Sequence, residues 1–517
     1  MIPVPPRSRL LPALLVAYSV ALLGYTVWEG RALGLHRLIP HALDKHETSI
    51  AVAVSDLYHH LNRGYACYRR VHTTLENGGW AYNPYTVEKN GYKYPENMRD
   101  HALLDCGLRG AVDLPDPAAD GVMYCPVYAE DVGYADFAKL GFRVFGPKIS
   151  SLYGAYFLIM GATLAAYLFA YRRDVPMLLL LVGFQTAFFF VVRSLPHVGE
   201  YRGDTFGVLQ LGTVTNGRFL CTLGLIPFLH LAGCLLAWPR PTAGVVVPAV
   251  AQAVALGLSL HFRGSAVWLF AVLFLLAGAQ AAGWAWRNRR GVTRGAVDLR
   301  GTGRGLVAVW PLLLVAAGFA GQKAYIQSAV HWTYLVDDGL PNHLFWHNAL
   351  IGLSRHPRWE EQPLNVPGHV DDALAVAIVE RRLESEGIDK GFLITPLTRL
   401  YKPRLHDRLC GQTYLRFARQ NPRYMVELMG WYKPKLIATC TRDHWRWVRT
   451  GLKRPDGVAL LAGFGLCLVA GVRSAAGGWR RPAAIVAAGF AGSLVPFLWA
   501  YPSFHVMSEY VIMLGLA

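Results

Sequence analysis

The chain has 517 residues, 53% of them hydrophobic and 16% charged, with a mean hydropathy of +0.27 and a net charge of +17. Soluble globular domains carry about one quarter charged residues, so this composition excludes an ordinary soluble protein. The basic residues punctuate apolar runs instead of lining one soluble domain, which excludes nucleic acid as a partner and fits anionic lipid headgroups or a phosphate-bearing substrate.

Nine windows are apolar over roughly the 20 residues that a bilayer crossing needs. They run from Leu10 to Trp28, Ser151 to Tyr171, Val175 to Val192, Phe219 to Trp238, Gly244 to Leu260, Ala266 to Trp286, Leu306 to Gln322, Val458 to Val472 and Ala483 to Ala500. A tenth apolar stretch begins near Tyr510 and is too short to cross. Arg7 and Arg9 precede the first window, as in a signal peptide, but no small-residue cleavage site follows, and Trp28, Glu29 and Arg31 suit the interfacial end of an uncleaved helix. Between the sixth and seventh windows, Arg287, Arg289, Arg290, Arg294, Arg300 and Arg304 face Asp298 alone. Short basic loops stay cytoplasmic. The N-terminus is therefore expected inside, with two long hydrophilic segments, 29–150 and 323–456, outside.

The first outer segment opens on "LDKHETSIAVAVSDLYHHLNRG", where Ile50, Val54, Leu57 and Leu61 recur at helical spacing. A loop rich in Gly, Asn, Pro and Tyr follows. A second amphipathic helix is expected from Tyr134 to Phe145, with Phe137, Leu140, Gly141 and Val144 on one face and a stop at Gly146-Pro147. Both helices read as membrane-parallel. The second outer segment reads as a small mixed α/β domain. It has a helix from Asp371 to a stop at Gly387, a strand in "KGFLIT" from Lys390, and one or two helices from Cys410 to Ile437 broken at Asn421-Pro422.

Five cysteines fall outside the windows, and an oxidising compartment permits disulfides there. Cys106 with Cys125 and Cys410 with Cys440 are the local pairings. No Cys-x-x-Cys pair occurs, "HETSI" lacks the second histidine of a zinc-protease helix, "GTGRG" at Gly301 has no preceding strand, and no Gly-x-Ser-x-Gly elbow is found. What remains is a set of acids at the ends of apolar windows: Glu47, Glu130 with Asp131, and Glu200 with Asp204. Carboxylates there suit a general base for an acceptor hydroxyl or ligands for a hard cation bridging phosphate oxygens. Lys139, Arg143, Arg193, Arg202 and Arg218 could neutralise a phosphate leaving group. Each acid also has a plainer reading. Asp44-Lys45-His46-Glu47 has capping-box spacing, Glu130 and Asp131 can complement a helix dipole, and Glu200 and Asp204 can be solvated loop acids. His59 and His60 point differently on a helix and do not share a metal. His331, His343 and His347, set among aromatics, read as an interfacial belt or as the lining of an acceptor cleft.

This arrangement resembles the GT-C superfamily of integral-membrane glycosyltransferases, which includes protein O-mannosyltransferases and lipid A aminoarabinose transferases. "HETSIAVAVSDLY" looks like the family's first-loop acidic site, with Glu47 as the match and His46 where a paired acid would stand. The stretch from Pro126 to Ile159 is similar to the family's Pro-x-Tyr segment, amphipathic helix and Phe-Gly turn, and Glu200 and Asp204 occupy the place of its second acid. The likeness spans Leu10 to Ala320. It implies an all-α polytopic membrane protein with a GT-C-like core over 1–322, an outer domain over 323–456 and C-terminal spans over 457–517. The implied activity is inverting transfer of a sugar from a polyprenyl-phosphate donor to a glycan, lipid or protein acceptor, at the outer face of a bacterial cytoplasmic membrane. Glu47, Asp131, Glu200 and Asp204 would be the catalytic acids, and Arg193, His197, Arg202, Arg218, Lys139 and His347 the substrate-binding residues. A Mg2+ or Mn2+ ion, if used, would be held by Glu47, Glu130 and Asp131. A transporter or lipid flippase, which would carry ionisable groups deep within its spans, and a non-catalytic envelope assembly protein are the alternatives.

Overall fold

The computed structural model describes residues 10–36, 72–74, 122–124, 133–146, 150–195, 214–215, 219–237, 241–292, 310–329, 344–369, 371–393, 402–452, 454–474, 478–499 and 508–516. Seven of its helices are long and apolar enough to cross a membrane. These are α1 (Leu10–Ala32), α3 (Ser150–Tyr171), α4 (Val175–Ser194), α5 (Leu225–Ala237, entered through a 3-10 segment, Phe219–Gly224), α6 (Ala243–Phe262), α14 (Pro455–Ser474) and α15 (Arg480–Trp499). They coincide with seven of the nine expected windows. The other two fall in α7 (Val267–Val292), whose apolar part is the shorter Val267–Gly283, and in α8 (Trp310–Ala329).

The helices pack around α4 and α5, which are buried on nearly every side, whereas α14 shows most of its surface. Since lipid is as apolar as leucine, polar ties and close packing must hold such a bundle together. Ser19 on α1 donates to Gln185 Oε1 on α4 at 2.5 Å, and Gln185 Nε2 returns a bond to the Ser19 carbonyl at 3.0 Å. Gln252 on α6 donates to the Thr163 carbonyl on α3 at 2.7 Å. The short C-terminal helix α16 (Ser508–Leu516) does not cross. It buries Tyr510 to Met513 against α4 and α15.

Between the first and second spans, α2 (Gly133–Phe145) forms where its amphipathic pattern indicates and stops at Gly146, whose φ of 85° suits glycine. Its buried face differs from the expected one. Tyr134, Phe137, Ala138, Gly141 and Phe142 face inward, while Val144 is 51% exposed. The aromatic rings set this rotation: Phe137 packs on Phe262 of α6, and Tyr134 donates to the Thr215 carbonyl at 2.8 Å. Gly133 and Gly141 permit the approach, because a Cβ at either would collide with backbone of His261 or Ser151. The same hydrophilic segment contributes an antiparallel pair of three-residue strands, β1 (His72–Thr74) and β2 (Val122–Tyr124), with His72 opposite Tyr124.

A second core is built from α9 (Phe345–Leu353), α10 (Asp371–Ser385), α11 (Pro403–Gln420) and α12 (Pro422–Glu427), followed by a π turn at Leu428–Tyr432 and by α13 (Lys433–Leu452). Helix α10 ends in a Schellman arrangement around Gly387 (φ 70°), with Ile388 N–H donating to Leu383 O and Gly387 N–H to Glu384 O. The chain breaks at Asn421-Pro422 as expected. Where a strand was expected, the described residues Lys390–Leu393 form a 3-10 turn, and the described part of this region consists of helices and turns. Leu393 packs into the helical core, Phe392 is 49% exposed, and Phe392 N–H donates to the Asp389 carbonyl, so the described part of the run closes locally.

Candidate functional site

Three polar clusters gather where span helices end and the non-spanning helices pack. In the first, Arg193 at the end of α4 is 4% exposed and lies 3.3 Å from Glu29 Oε1 on α1 and 2.9 Å from Asp456 Oδ2 on α14. Tyr25 donates to Asp456 at 2.6 Å, and Arg454 reaches Glu29 at 3.2 Å. A buried charge needs such matching, and the cluster ties α1, α4 and α14 together at one end of the bundle.

The second cluster is centred on Asp136 of α2. Its carboxylate accepts from Lys139 at 2.6 Å, pairs with His261 Nε2 at 2.8 Å at the end of α6, and accepts from Tyr325 of α8 at 3.2 Å. Burial pushes the Asp136 pKa up, but the His261 hydrogen bond and the Lys139 charge outweigh it and hold the carboxyl below 3.8. The opposite ring nitrogen, His261 Nδ1, is buried with no hydrogen-bond partner among the described residues. Aspartate, oriented histidine and lysine together offer a fixed anion beside a proton-accepting ring.

The third cluster lies in the second core. His347 Nδ1 is 2.9 Å from His406 Nε2, which is 3.3 Å from Cys410 Sγ. All three residues are buried, and their donor atoms lie within 4.8 Å of one another. Asp407 accepts the His347 backbone N–H at 2.9 Å and also faces the N–H groups of Phe345 and Trp346, so a side chain of α11 caps the start of α9. Burial lowers His406 to about 3, with help from His347, and drives the Cys410 thiol far up. The Cys410–Cys440 bridge expected from the sequence does not form: both cysteines are free, and Cys410 is turned to His406 inside the core.

At the opposite end of the bundle, a cavity of 1080 Å3 opens between Phe169 to Pro176, His230, Cys234 and Arg480. Asp174 there caps α4 through Met177 N–H and pairs with Arg481.

Of the residues expected to act, Arg193, Lys139 and His347 enter three different clusters. Glu47, Glu130, Asp131, His197, Glu200, Arg202, Asp204 and Arg218 lie outside the described residues, as do Cys106, Cys125 and the expected helix from Thr48 to Leu61. Sequence reading passed over Asp136, His261 and His406, and took Cys410 for a disulfide partner of Cys440. A histidine at the tip of an apolar span and a His-x-x-x-Cys pair on one helical face were the available signals. No family model, curated protein or solved structure matches the chain.

Proposed function

We propose that the protein is a membrane-embedded glycosyltransferase of GT-C type that moves a sugar from a polyprenyl-phosphate donor to an acceptor hydroxyl at one membrane face. The observation that supports this reading most is the docking of α2 across the ends of α3 and α6, bringing the ionised Asp136, Lys139 and His261 to the end of the span bundle. A lipid-linked phosphate would present itself at that depth, and basic groups with an acid–base pair are what transfer from it requires. In this reading Glu47 is the base, Asp131, Glu200 or Asp204 the second acid, and Arg202 and Arg218 hold the phosphate. Arg193 and Lys139 already have carboxylate partners, so phosphate reaching them would compete with Glu29, Asp456 or Asp136. The transporter reading is weaker, because the seven apolar helices carry carboxylates only at their ends, Glu29 and Asp456.

The test is release of polyprenyl phosphate by full-length protein in liposomes supplied with polyprenyl-phosphate mannose, glucose or aminoarabinose and membrane-derived acceptors. Wild-type release that disappears in Glu47→Gln, with unchanged thermal unfolding, is expected. Unchanged release in that variant overturns the role of Glu47. Wild-type protein that neither releases nor retains polyprenyl phosphate overturns the transferase.

A further inference from the structure

We propose that His347, His406 and Cys410 bind one zinc ion, which clamps α9 to α11. The proposal is independent of the glycosyltransferase reading.

The first argument is valence. The Nε2 of a neutral imidazole has one in-plane direction, carrying either a hydrogen or a lone pair. His406 Nε2 faces His347 Nδ1 at 2.9 Å and Cys410 Sγ at 3.3 Å, and one direction cannot serve both well. Three donor atoms gathered within 4.8 Å of one another suit ligands about a shared cation. Zinc binds nitrogen at about 2.0–2.1 Å and sulfur at about 2.3 Å, which sets neighbouring ligands on a tetrahedron roughly 3.3–3.6 Å apart. Seating the ion needs the two short contacts to open by a few tenths of an ångström and the third pair, which lies within 4.8 Å, to settle at the same spacing.

The second argument is chain placement. His406 and Cys410 are four residues apart on α11 and so share one face, while His347 arrives from α9. Asp407, on the same helix, grips the backbone N–H of His347 and fixes the height at which its ring enters. Supporting groups of this kind hold metal ligands in register. The third argument is donor chemistry. Imidazole and thiolate select zinc over magnesium or calcium, so this is not the Mg2+ or Mn2+ site that the family resemblance implies. A cysteine ligand must give up its thiol proton when the metal enters. Binding therefore releases a proton and weakens in acid. Three donors leave one position of the tetrahedron to a fourth.

The experiment uses tag-free, full-length protein in detergent. Elemental analysis should find one zinc per chain, and replacement by Co2+ should produce a sulfur-to-cobalt charge-transfer band in the near ultraviolet. In Cys410→Ser that band should vanish and zinc affinity should fall at least about tenfold. A chelator should lower the unfolding temperature of the wild type, and that of the variant by less. Protein without stoichiometric zinc and without response to added Zn2+ overturns the site, as does a charge-transfer band that survives in Cys410→Ser. Should that variant fail to fold, the wild-type spectrum decides, since cobalt bound without a thiolate band excludes Cys410 as a ligand.

Discussion

Lys433 offers the sharpest test of how the second core is fastened to the span bundle. It is 0% exposed, and its Nζ donates to the carbonyls of Leu498 at 2.7 Å and Trp499 at 2.9 Å. These are the last residues of α15, whose terminal carbonyls have no partner within the helix and carry the negative end of its dipole. Burial, reinforced by the charge of Arg355, lowers the Lys433 pKa from 10.5 to about 7. The sign follows from proton binding. Between about 7 and 10.5 the unfolded chain holds this proton and the folded chain has released it, so stability rises with pH across that window. The slope approaches 1.4 kcal/mol per unit, or about 5 kcal/mol across the window. Below pH 7 both states are protonated and the burial penalty applies in full. Lys433→Met keeps the length of the side chain and removes its titration, so this rise should be missing from the variant. At the alkaline end, where the wild-type amine still donates, the variant should be less stable by about 1–3 kcal/mol for each carbonyl left unpaired. Denaturant unfolding of both proteins in detergent, followed by circular dichroism from about pH 6 to about pH 10, measures the difference. Parallel stability profiles would refute the reasoning.

Three further outcomes follow from the other clusters. Arg193→Met leaves Glu29, whose side chain is 7% exposed, with only the largely exposed Arg454 as a charged partner and should cost about 1–3 kcal/mol; Asp456→Asn should cost less, since Asp456 is 34% exposed, and unfolding midpoints compare the two. Because the Asp136 carboxyl is held below 3.8 in the fold, its contribution is present at neutral pH and lost as pH falls through that depressed value; Asp136→Asn should remove this part of the acid-unfolding curve. Gly133→Ala should lift α2 from α6, because the new methyl meets the His261 carbonyl, with a loss of about 1–3 kcal/mol and faster proteolysis between residues 133 and 146.

Much of the architecture was legible because it depends on local pattern. Apolar length marks a span wherever it occurs, and seven of the windows became helices able to cross. The 3.6-residue period placed α2, and Gly146 and Gly387 stopped their helices through a backbone conformation that glycine adopts freely. The rotation of α2 was less legible, since Val144 is as apolar as its buried neighbours, and the tertiary contacts of Tyr134 with Thr215 and of Phe137 with Phe262 select the inward face. At Lys390–Leu393 a 3-10 turn stands where a strand was expected, since strand propensity depends on tertiary context.

The clusters themselves belong to the tertiary structure. Glu29, Arg193 and Asp456 are separated by more than a hundred residues at each step, and the pairing of Asp136 with His261 spans a similar distance. Nothing in a local window marks which charged span end will meet which. The sequence alone determined that this chain is helical, that its charges sit at span ends, and that a helix lies between the first two spans. Packing decided which charges become partners, because burial removes water as an alternative and leaves each ion only those neighbours that the crossing helices bring within reach. The same holds for His347, which reads as one aromatic-flanked histidine among several until α11 sets His406 and Cys410 against it.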